Sequence, residues 1–263
     1  MSIVQPVVGR ESQVIPGPSH GHFGQSDMDA AQRIQSSLLP TGPLRGESFE
    51  IAFRYTPFWE VGGDFADFFL LPNGQVGIYL GDVVGKGLPA AMYGALVMGA
   101  FRGIKKTGAD TAGVLAMLNE RLMQRPLDGR FCSTLYGLFD PATGKLVFSN
   151  AGLPLPLLAT EATCQPLGEG GLPSGMFTTA TYGQHTVRLS PGDSVLFATD
   201  GLHESRNREG DEFWSAQMTE VWAQCRGKSA RESVDLLFDR MHAFAQGGRQ
   251  DDDVTVVVLK NSG

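Results

Sequence analysis

The sequence has few cysteines, and their spacing gives them no shared role. Three of its 263 residues are cysteine, Cys132, Cys164 and Cys225, and no two of them form a C-x-x-C pair. An odd, widely spaced set argues against a disulfide framework and against a cysteine zinc site. A chain of this length also buries enough surface to fold without such cross-links. The pattern indicates a reducing compartment, so we expect a cytoplasmic protein.

Long apolar runs and an excess of positive charge are also lacking. The longest apolar stretch, Leu88–Phe101, is shorter than the ~20 residues of a membrane helix, and Lys86 and Arg102 flank it. The first residues show neither the basic start nor the apolar run of a secretory signal. The net charge is −7, and an acidic surface repels phosphate backbones. We therefore expect neither a membrane nor a nucleic acid as a partner.

Three common catalytic motifs are absent as well. No G-x-S-x-G is present to support a serine hydrolase. A P-loop requires a hydroxyl residue after Gly85-Lys86, where this sequence has Gly87. A haloacid-dehalogenase-type phosphatase requires a nucleophilic aspartate two residues before Asp200, where Ala198 stands. These enzyme classes are excluded.

The chain divides into a tail, a lead-in helix and one domain. Residues 1–25, rich in proline and glycine around IPGPSHGHFG, predict a disordered tail. Residues 26–40 predict a lead-in helix that Ser26 caps, with Asp29 three residues on, and Pro40 ends. Its apolar residues share one face at helical spacing: Met28, Ala31, Ile34 and Leu38. That face packs either on its own domain or against a second copy or a regulator, and periodicity does not decide between them.

Residues 41–263 alternate strand-like and helix-like blocks. Strands are predicted at Ile51–Tyr55, QVGIYLGD, FCSTLYGLFD, KLVFSN, GQHTVRL, DSVLFAT and DVTVVVL. The PATG between the third and fourth of these predicts a hairpin turn. Helices are predicted at Leu88–Lys105, Asp110–Gln124 and Ser229–Gln246, the last opened by a capping box. Because the strands come in pairs with helices between groups, we expect a mostly antiparallel α+β architecture.

Four segments place aspartate beside glycine or in a short run at a predicted strand end. They are GGDFAD (62–67), GDVVGKG (81–87), TDGL (199–202) and DDDVT (251–255). Carboxylates brought together at strand ends repel one another unless a positive charge lies between them. A set of aspartates without histidine or cysteine suits a hard cation such as Mg²⁺ or Mn²⁺ better than zinc. Each segment is weak alone, and their joint occurrence carries the prediction.

In this order and spacing the motifs resemble the SpoIIE-type, RsbU-like branch of the PPM metal-dependent serine/threonine protein phosphatases. The resemblance runs from about Asp27 to Lys260. The six matching motifs are IQSSLLP, VGGDFADFF, YLGDVVGKGLPAAM, FSNAG, FATDGLHE and QDDDVTVVVL. It implies an α-β-β-α sandwich of two antiparallel sheets flanked by helices, with the metals among the loops at one end.

The resemblance also implies a site that binds two ions, Mn²⁺ or Mg²⁺, and activates a water to hydrolyse a phosphoserine or phosphothreonine. Asp82 matches the carboxylate that bridges the metals, and Val83 the residue that lends its carbonyl. Asp200 and Asp252 match ligands of one metal, and Asp64 the acidic residue on the other side. We expect these four aspartates to be the catalytic set. The role of Asp253 stays open, and the nearby acidic residues that could serve a third cation are Asp67 and Glu204.

Two positions depart from the family pattern. Val84 stands where family members usually have a small polar residue, and Leu153 where they usually have histidine. Neither change removes an expected ligand, so activity remains the default. The alternative is a weak or inactive phosphatase-fold module that regulates a partner by binding it. We interpret His203, near Asp200, as a surface loop histidine rather than a general acid.

The resemblance further implies a phosphorylated substrate protein, a STAS-type anti-sigma-factor antagonist in bacterial partner-switching signalling. Related enzymes often carry a sensor domain before the lead-in helix, where this sequence has about 25 residues of tail. We therefore expect control by a regulatory partner at the lead-in helix or by homodimerisation through Asp27–Leu39.

Overall fold

The computed structural model describes residues 24–127, 129–246 and 250–263. Two antiparallel sheets stack face to face. In spatial order, the first sheet contains β1 (Leu44–Arg45), β2 (Phe49–Thr56), β11 (Val254–Asn261), β10 (Ser194–Ala198), β7 (Leu157–Ala159) and β8 (Cys164–Pro166). The second contains β3 (Phe65–Leu70), β4 (Val76–Val83), β5 (Cys132–Asp140), β6 (Lys145–Ala151) and β9 (His185–Arg188). All registered neighbours in both sheets run antiparallel.

Helices cover the outer faces of both sheets. They are α1 (Gln25–Leu38), α2 (Gly87–Ile104), α3 (Thr111–Met123), α4 (Asp200–His203), α5 (Thr219–Gln224) and α6 (Ala230–Ala245). Short 3₁₀ and π segments follow at Lys105–Thr107 and Trp214–Met218. Helices α2 and α3 pack on the second sheet, and α6 packs on β2 and β11 of the first. The layer order is therefore helix, sheet, sheet, helix, and the predicted sandwich is confirmed.

Strand β11 shows why the sequence folds into these layers. All eight of its residues are buried, because the strand lies inside a sheet that is covered on both sides. Val256 and Val258 face the core under α6, whereas Val257 and Leu259 face the core between the sheets. Strand residues alternate between the two faces. A continuous apolar run such as VTVVVL is therefore typical of a strand with both faces buried.

Most predicted elements are confirmed, with small shifts at their ends. The β5–β6 hairpin turns through PATG with Asp140 paired to Lys145, and the Ser229 hydroxyl accepts the Glu232 amide at the start of α6. Leu88–Phe101, the longest apolar stretch, lies in α2, where Val97 and Phe101 are buried in the core. In the part of the chain that the structure describes, no helix combines the length and apolarity needed to cross a membrane.

Several short elements were not predicted from the sequence. No strand was expected at FADFFL, which forms β3, and no helix in the segment from Asp200 onwards, which contains α4 and α5. Strands β7 and β8 have only three residues each. Elements of this length have too few residues to show a period, so only tertiary pairing defines them.

The lead-in helix begins earlier than predicted. Helix α1 starts at Gln25, and its cap is Gly24, whose amide donates to the Asp27 carboxylate at 3.1 Å. The expected Ser26 cap with Asp29 is therefore wrong. Residues 1–23 of the predicted disordered tail lie outside the described residues, and the last two residues of that tail belong to the helix and its cap. Helix α1 lies against α2 of its own domain, with Ile34 64% exposed.

Candidate active site

The predicted aspartates lie at ends of neighbouring strands. Asp64 directly precedes β3, and Asp82 is the next-to-last residue of β4. In the other sheet, Asp200 follows β10 and Asp252 precedes β11. Since β3 and β4 are antiparallel, and β10 and β11 are too, the start of one strand meets the end of its neighbour. This topology brings the carboxylates of both sheets to one edge of the sandwich.

Asp64 is the most firmly held of these carboxylates. It is 1% exposed, and its Oδ2 accepts hydrogen bonds from Thr199 Oγ1 at 2.6 Å and Thr255 Oγ1 at 2.8 Å. The Thr199 hydroxyl in turn accepts the Thr255 amide at 2.9 Å. Burial, followed by the charges of Asp82 and Asp253, raises the Asp64 pKa well above its usual range. One sheet thus fixes the carboxylate that the other sheet carries.

Asp82 and Asp200 show the electrostatic cost of the cluster. Burial raises the pKa of Asp82 to about 7, and the carboxylates of Asp200 and Asp252 contribute further. Burial also raises the Asp200 pKa to about 6, with help from Glu204 and Asp252. Glu204 therefore lies near the site, as expected. Such mutual repulsion indicates a place where a cation would be stabilised.

Asp252 differs because it already has a cationic partner. Lys86 Nζ lies 2.9 Å from Asp252 Oδ2 and also donates to the Asp251 carbonyl. The lysine side chain lies over the Phe58 ring, with Nζ 4.8 Å from the ring centroid. From the sequence, Lys86 was considered as a flank of the apolar stretch, in the failed P-loop and within GDVVGKG, and no contact with a carboxylate was predicted for it. The sequence signal that could have indicated a place near the carboxylates was its position in the GDVVGKG segment, four residues after Asp82.

Asp253, whose role the sequence left open, holds a loop. Its carboxylate accepts the amides of Phe58 at 2.7 Å, Gly63 at 2.6 Å and, more weakly, Asp64 at 3.5 Å. A Cβ on Gly62 would collide with this carboxylate, so the close approach requires glycine there. Asp253 therefore fixes the segment that leads into Asp64.

Asp67 lies outside the cluster. It follows Asp64 by three residues on β3 and is paired with Arg102, 3.1 Å away. The same guanidinium donates to the Leu38 carbonyl at the end of α1. The role of Asp67 towards a third cation stays a prediction, and such a cation would have to replace Arg102.

Val83 and Val84 are held by their backbones. A Cβ on Gly63 would lie 2.8 Å from the Val83 carbonyl oxygen, so glycine leaves room around the expected carbonyl ligand. The Val84 amide donates to Phe131 O at 3.2 Å, and its carbonyl accepts from Arg130 Nη1 at 2.8 Å. Because these backbone hydrogen bonds fix the path of the segment, the departure from the family pattern at Val84 changes only the side chain there.

Leu153 packs into the core. It is 5% exposed and belongs to the apolar cluster between the two sheets. Asn150 holds its backbone from both sides, accepting the Leu153 amide at 2.9 Å and donating to its carbonyl at 2.8 Å. The departure from histidine thus exchanges a polar side chain for a packed apolar one and removes no carboxylate.

A groove lies beside the cluster. It encloses about 690 Å³, and its lining includes Asp82, Asp200 and Trp214. Leu155, half-buried, lies on its wall. His203 also lines it, edge-on to the Trp214 ring with centroids 3.5 Å apart. The interpretation of His203 as a surface loop residue is wrong: it is part of α4, and burial lowers its pKa to about 3.

The donor types at this edge fit a hard divalent cation. Asp64, Asp82, Asp200, Asp252 and the Val83 carbonyl offer oxygen only, which suits Mg²⁺ or Mn²⁺. As the side chains stand, no three histidine, cysteine, aspartate or glutamate residues within the described ranges are arranged around one ion position. Asp252 is engaged with Lys86, so a cation bound here would have to replace that ion pair.

Comparison with known proteins agrees with this fold. The family model "Stage II sporulation protein E (SpoIIE)" matches residues 72–262. Protein IcfG of Synechocystis is 24% identical over 89% of this chain and 41% of its own length. Phosphoserine phosphatase RsbU of Bacillus subtilis is 25% identical over 90% of this chain and 70% of its own. The chain thus spans less than half of IcfG and about two thirds of RsbU.

Solved structures share the fold. The SiaA-PP2C domain of Pseudomonas aeruginosa superimposes with a TM-score of 0.78 at 21% identity, covering 89% of this chain and 95% of that domain. RsbX, solved in complex with magnesium, gives a TM-score of 0.64 at 12% identity, covering 84% of this chain and 98% of RsbX. The family model covers most of the chain, and the solved neighbours share its two-sheet sandwich. The chain belongs to the SpoIIE family of PPM-type phosphatases.

Proposed function

We propose that this chain is a metal-dependent phosphoserine and phosphothreonine protein phosphatase. The observation that carries the proposal is the convergence of Asp64 and Asp82 from one sheet with Asp200 and Asp252 from the other, beside a 690 Å³ groove that Asp82 and Asp200 line. Repelling carboxylates whose pKa values are raised by burial and by one another are expensive to maintain. Cation binding is the function that such an arrangement serves best.

The chain's own residues divide the work. Asp82, Asp200, Asp252 and the Val83 carbonyl would hold Mn²⁺ or Mg²⁺, with Asp64 on the far side, and the magnesium complex of RsbX supports this choice of ion. When bound, a pair of such cations lowers the pKa of a water molecule and neutralises phosphoryl oxygens. Thr199 and Thr255 hold the Asp64 carboxylate in place. No covalent enzyme intermediate is required.

The groove supports a protein substrate. A phosphorylated side chain would enter at Asp82 and Asp200, and the flanking peptide would lie along Leu155 towards Trp214. The name of RsbU supports phosphoserine as the target. From the family resemblance we propose a STAS-type anti-sigma-factor antagonist as the substrate protein. The three free thiols, Cys132, Cys164 and Cys225, support a cytoplasmic setting.

The control of activity is assigned to α1. Apolar side chains stay exposed on α1 and α2, with Ile34 64%, Met92 68% and Leu96 55% accessible. We propose that a regulatory partner or a second copy of the chain binds there. Removing residues 1–39 should change both the oligomeric state and the activity, measured by light scattering and phosphate release. Unchanged values for both in a folded truncation would refute this assignment.

Phosphate release from a phosphoserine peptide and from a phosphorylated STAS-type protein tests the proposed activity. Each is assayed with Mn²⁺, Mg²⁺ or EDTA. Turnover should require the metal and should fall to background in Asp82→Asn. The matched control is Asp235→Asn, which removes a half-exposed carboxylate on α6 that pairs with Arg54 and Arg231 and should leave turnover unchanged. Metal-independent turnover, or full activity of Asp82→Asn, would contradict the proposal.

A phosphatase-fold binding module is the second candidate. Its support is the Lys86–Asp252 ion pair, which neutralises one expected ligand without a metal. A module of this kind would bind its partner in EDTA and show no calorimetric signal with Mn²⁺. Mn²⁺ binding together with turnover by the wild type would eliminate it.

A further inference from the structure

Lys86 is a cation of the second sheet that contacts carboxylates of the first. It follows β4 and directly precedes α2, whereas Asp200 and Asp252 lie at strand ends of the first sheet. Its Nζ lies 2.9 Å from Asp252 Oδ2. Burial raises the Asp200 pKa to about 6, and the positive charge of Lys86 opposes that rise. A single ammonium therefore acts on both expected metal ligands of the first sheet.

Two further contacts of Lys86 do not involve a carboxylate. Its Nζ lies 4.8 Å from the centroid of the Phe58 ring and also donates to the Asp251 carbonyl. The Phe58 amide is fixed in turn by the Asp253 carboxylate at 2.7 Å. An ammonium over an aromatic face is attracted to the ring. Loss of the ion pair with Asp252 would therefore leave Lys86 beside the cluster.

The ammonium can also be reached from the groove. The Lys86 side chain is 34% exposed, and it lines a cavity of about 140 Å³ together with Asp252 and Arg206. Glu204 lines both this cavity and the 690 Å³ groove, where Asp200 lies close to it. The two spaces therefore meet at Glu204. A phosphoryl group that enters the groove at Asp200 would lie next to the space that holds the Lys86 ammonium.

Arg206 is the other lysine or arginine among the described residues that line these two spaces. Its guanidinium is paired with Glu212 at 3.0 Å, and neither residue is an expected metal ligand. Lys86, in contrast, is paired with a carboxylate that a metal would claim. Cation binding therefore frees the charge of Lys86, whereas the charge of Arg206 stays engaged.

The freed ammonium suits a phosphoryl oxygen. Lys86 has to leave Asp252 when a cation binds there, because two positive charges at this distance repel. A phosphorylated side chain carries a charge of about −1.5 to −2, so it is attracted both to the cation and to the ammonium. Lysine binds phosphate as a compact point charge with three donors. Lys86 can thus exchange one anionic partner for another.

We propose that Lys86 is a catalytic residue that binds a phosphoryl oxygen of the substrate once a cation has taken its place at Asp252. The proposal deepens the proposed function and rests on it. The ammonium donates a hydrogen bond and forms no covalent bond, so the phosphoryl group still passes to water. The same contact holds the inorganic phosphate product. Because Asp252 engages the ammonium until a cation replaces it, the phosphoryl group binds after the cation.

Calorimetric titration with inorganic phosphate tests this role in the full chain, at saturating Mg²⁺ and in EDTA. The variants are Lys86→Met, which keeps the apolar stem, and Lys86→Arg, which keeps the charge. The matched control is Arg206→Met, which removes the same charge from the same cavity. Mg²⁺ affinity and kcat/KM for a phosphoserine peptide are measured on the same proteins, and thermal unfolding reports on their stability.

Phosphate should bind the wild type in Mg²⁺ and not in EDTA. In Lys86→Met, phosphate affinity and kcat/KM should each fall about tenfold, the lower end of what a hydrogen bond to a charged group contributes. Mg²⁺ should bind this variant at least as tightly as the wild type, so loss of the cation does not explain the fall. Lys86→Arg should recover most of the phosphate affinity, and Arg206→Met should keep the wild-type value.

Wild-type phosphate affinity in a folded Lys86→Met variant that binds Mg²⁺ would overturn the proposal and leave the proposed function intact. An equal fall in Arg206→Met would also overturn it, since the charge of the cavity would then be responsible. If the wild type neither binds Mg²⁺ nor hydrolyses the peptide, the proposed function fails. The role of Lys86 then fails with it, because the ammonium stays at Asp252. If Lys86→Met does not fold, Lys86→Gln removes the same charge and carries the same expectation.

Discussion

Asp64 and Asp252 lie on opposite sides of one carboxylate cluster, and the protein holds them in opposite ways. Asp64 is fully buried and accepts two threonine hydroxyls, in a loop clamped by Asp253. The side chain of Asp252 is 35% exposed and is held by Lys86. One side of the site is therefore built during folding, whereas the other is held by a cation that can be exchanged.

This difference separates two contributions to cation binding. On the Asp64 side the carboxylate is already oriented, so binding requires little further ordering. On the Asp252 side an ion pair must break before a metal can use the carboxylate. Changes on the buried side should therefore weaken binding strongly, whereas removal of Lys86 should strengthen it slightly.

The largest effect is expected on the buried side, for Thr199→Val and Thr255→Val. Each change keeps the side-chain shape and removes one hydroxyl that donates to Asp64 Oδ2. Both hydrogen bonds lower the Asp64 pKa, so without one the ionised ligand is harder to form and less well oriented. Mn²⁺ affinity and kcat/KM should each fall by about 10–100-fold, measured by calorimetry and phosphate release.

Thr186→Val serves as the control for these variants. Thr186 is exposed on β9, far from the carboxylates in the sheet order, so both quantities should keep their wild-type values. If Thr199→Val and Thr255→Val also bind Mn²⁺ with wild-type affinity, these hydroxyls do not maintain the orientation of Asp64. The claim that the buried side of the site is oriented before a cation binds would then be contradicted.

A smaller effect of opposite sign is expected on the exposed side, for Lys86→Met. Methionine keeps an apolar stem over Phe58 and removes the charge that occupies Asp252. An exposed ion pair is worth up to about 1 kcal/mol, so Mn²⁺ should bind up to about fivefold more tightly. Calorimetry is the appropriate measurement, because activity would also register any role of Lys86 towards the substrate.

Arg206→Met separates this effect from a general change in charge. Arg206 lines a cavity with Lys86 and Asp252 but is paired with Glu212 at 3.0 Å. Its removal subtracts the same charge without freeing Asp252. An equal gain in affinity for both variants would mean that net charge, rather than release of Asp252, is responsible.

The strands and the carboxylate edge could be predicted because their signals are local. Runs such as VTVVVL show the burial of β11 directly, and an aspartate at a strand end can be recognised without knowing its neighbours. Antiparallel pairing then brings Asp64, Asp82, Asp200 and Asp252 to one edge. The resemblance to the PPM phosphatases assigned their order, and the family is confirmed.

The partners of those aspartates could not be predicted, because their contacts join residues far apart in the chain. Asp253 bonds amides about 190 positions away, and Lys86 meets Asp252 across more than 160. Nothing in DDDVT distinguishes the carboxylate that holds a loop from the one that faces a lysine. The same holds for Gln35. Its sequence context is that of any polar residue on a helix, and its hydrogen bond to the Gly62 carbonyl joins residues 27 positions apart.

The smallest expected effect is a change in thermal stability on replacement of Asp82, which lies between the Asp64 side and the Asp252 side of the cluster. Asp82 is flanked by the other carboxylates, and burial with that repulsion raises its pKa to about 7. A carboxyl whose pKa is raised in the folded state lowers stability progressively as the pH rises from the free carboxyl's pKa of 3.8 towards the raised value, and the loss is complete above about pH 7. In EDTA at pH 8, Asp82→Asn should therefore unfold a few degrees above the wild type, since about 1 kcal/mol corresponds to roughly 2–4 °C at this size.

The advantage of Asp82→Asn should shrink at pH 6, where the wild-type carboxyl is protonated and its repulsion is relieved. Added Mn²⁺ should reverse the order at pH 8, because only the wild type gains the binding free energy of the cation. Calorimetric scans with EDTA and with Mn²⁺ at both pH values check all of this, with Asp235→Asn as the surface control. An Asp82→Asn variant that is less stable than the wild type in EDTA would contradict this prediction. It would show that ionised Asp82 stabilises the metal-free fold and that repulsion among the carboxylates does not lower its stability.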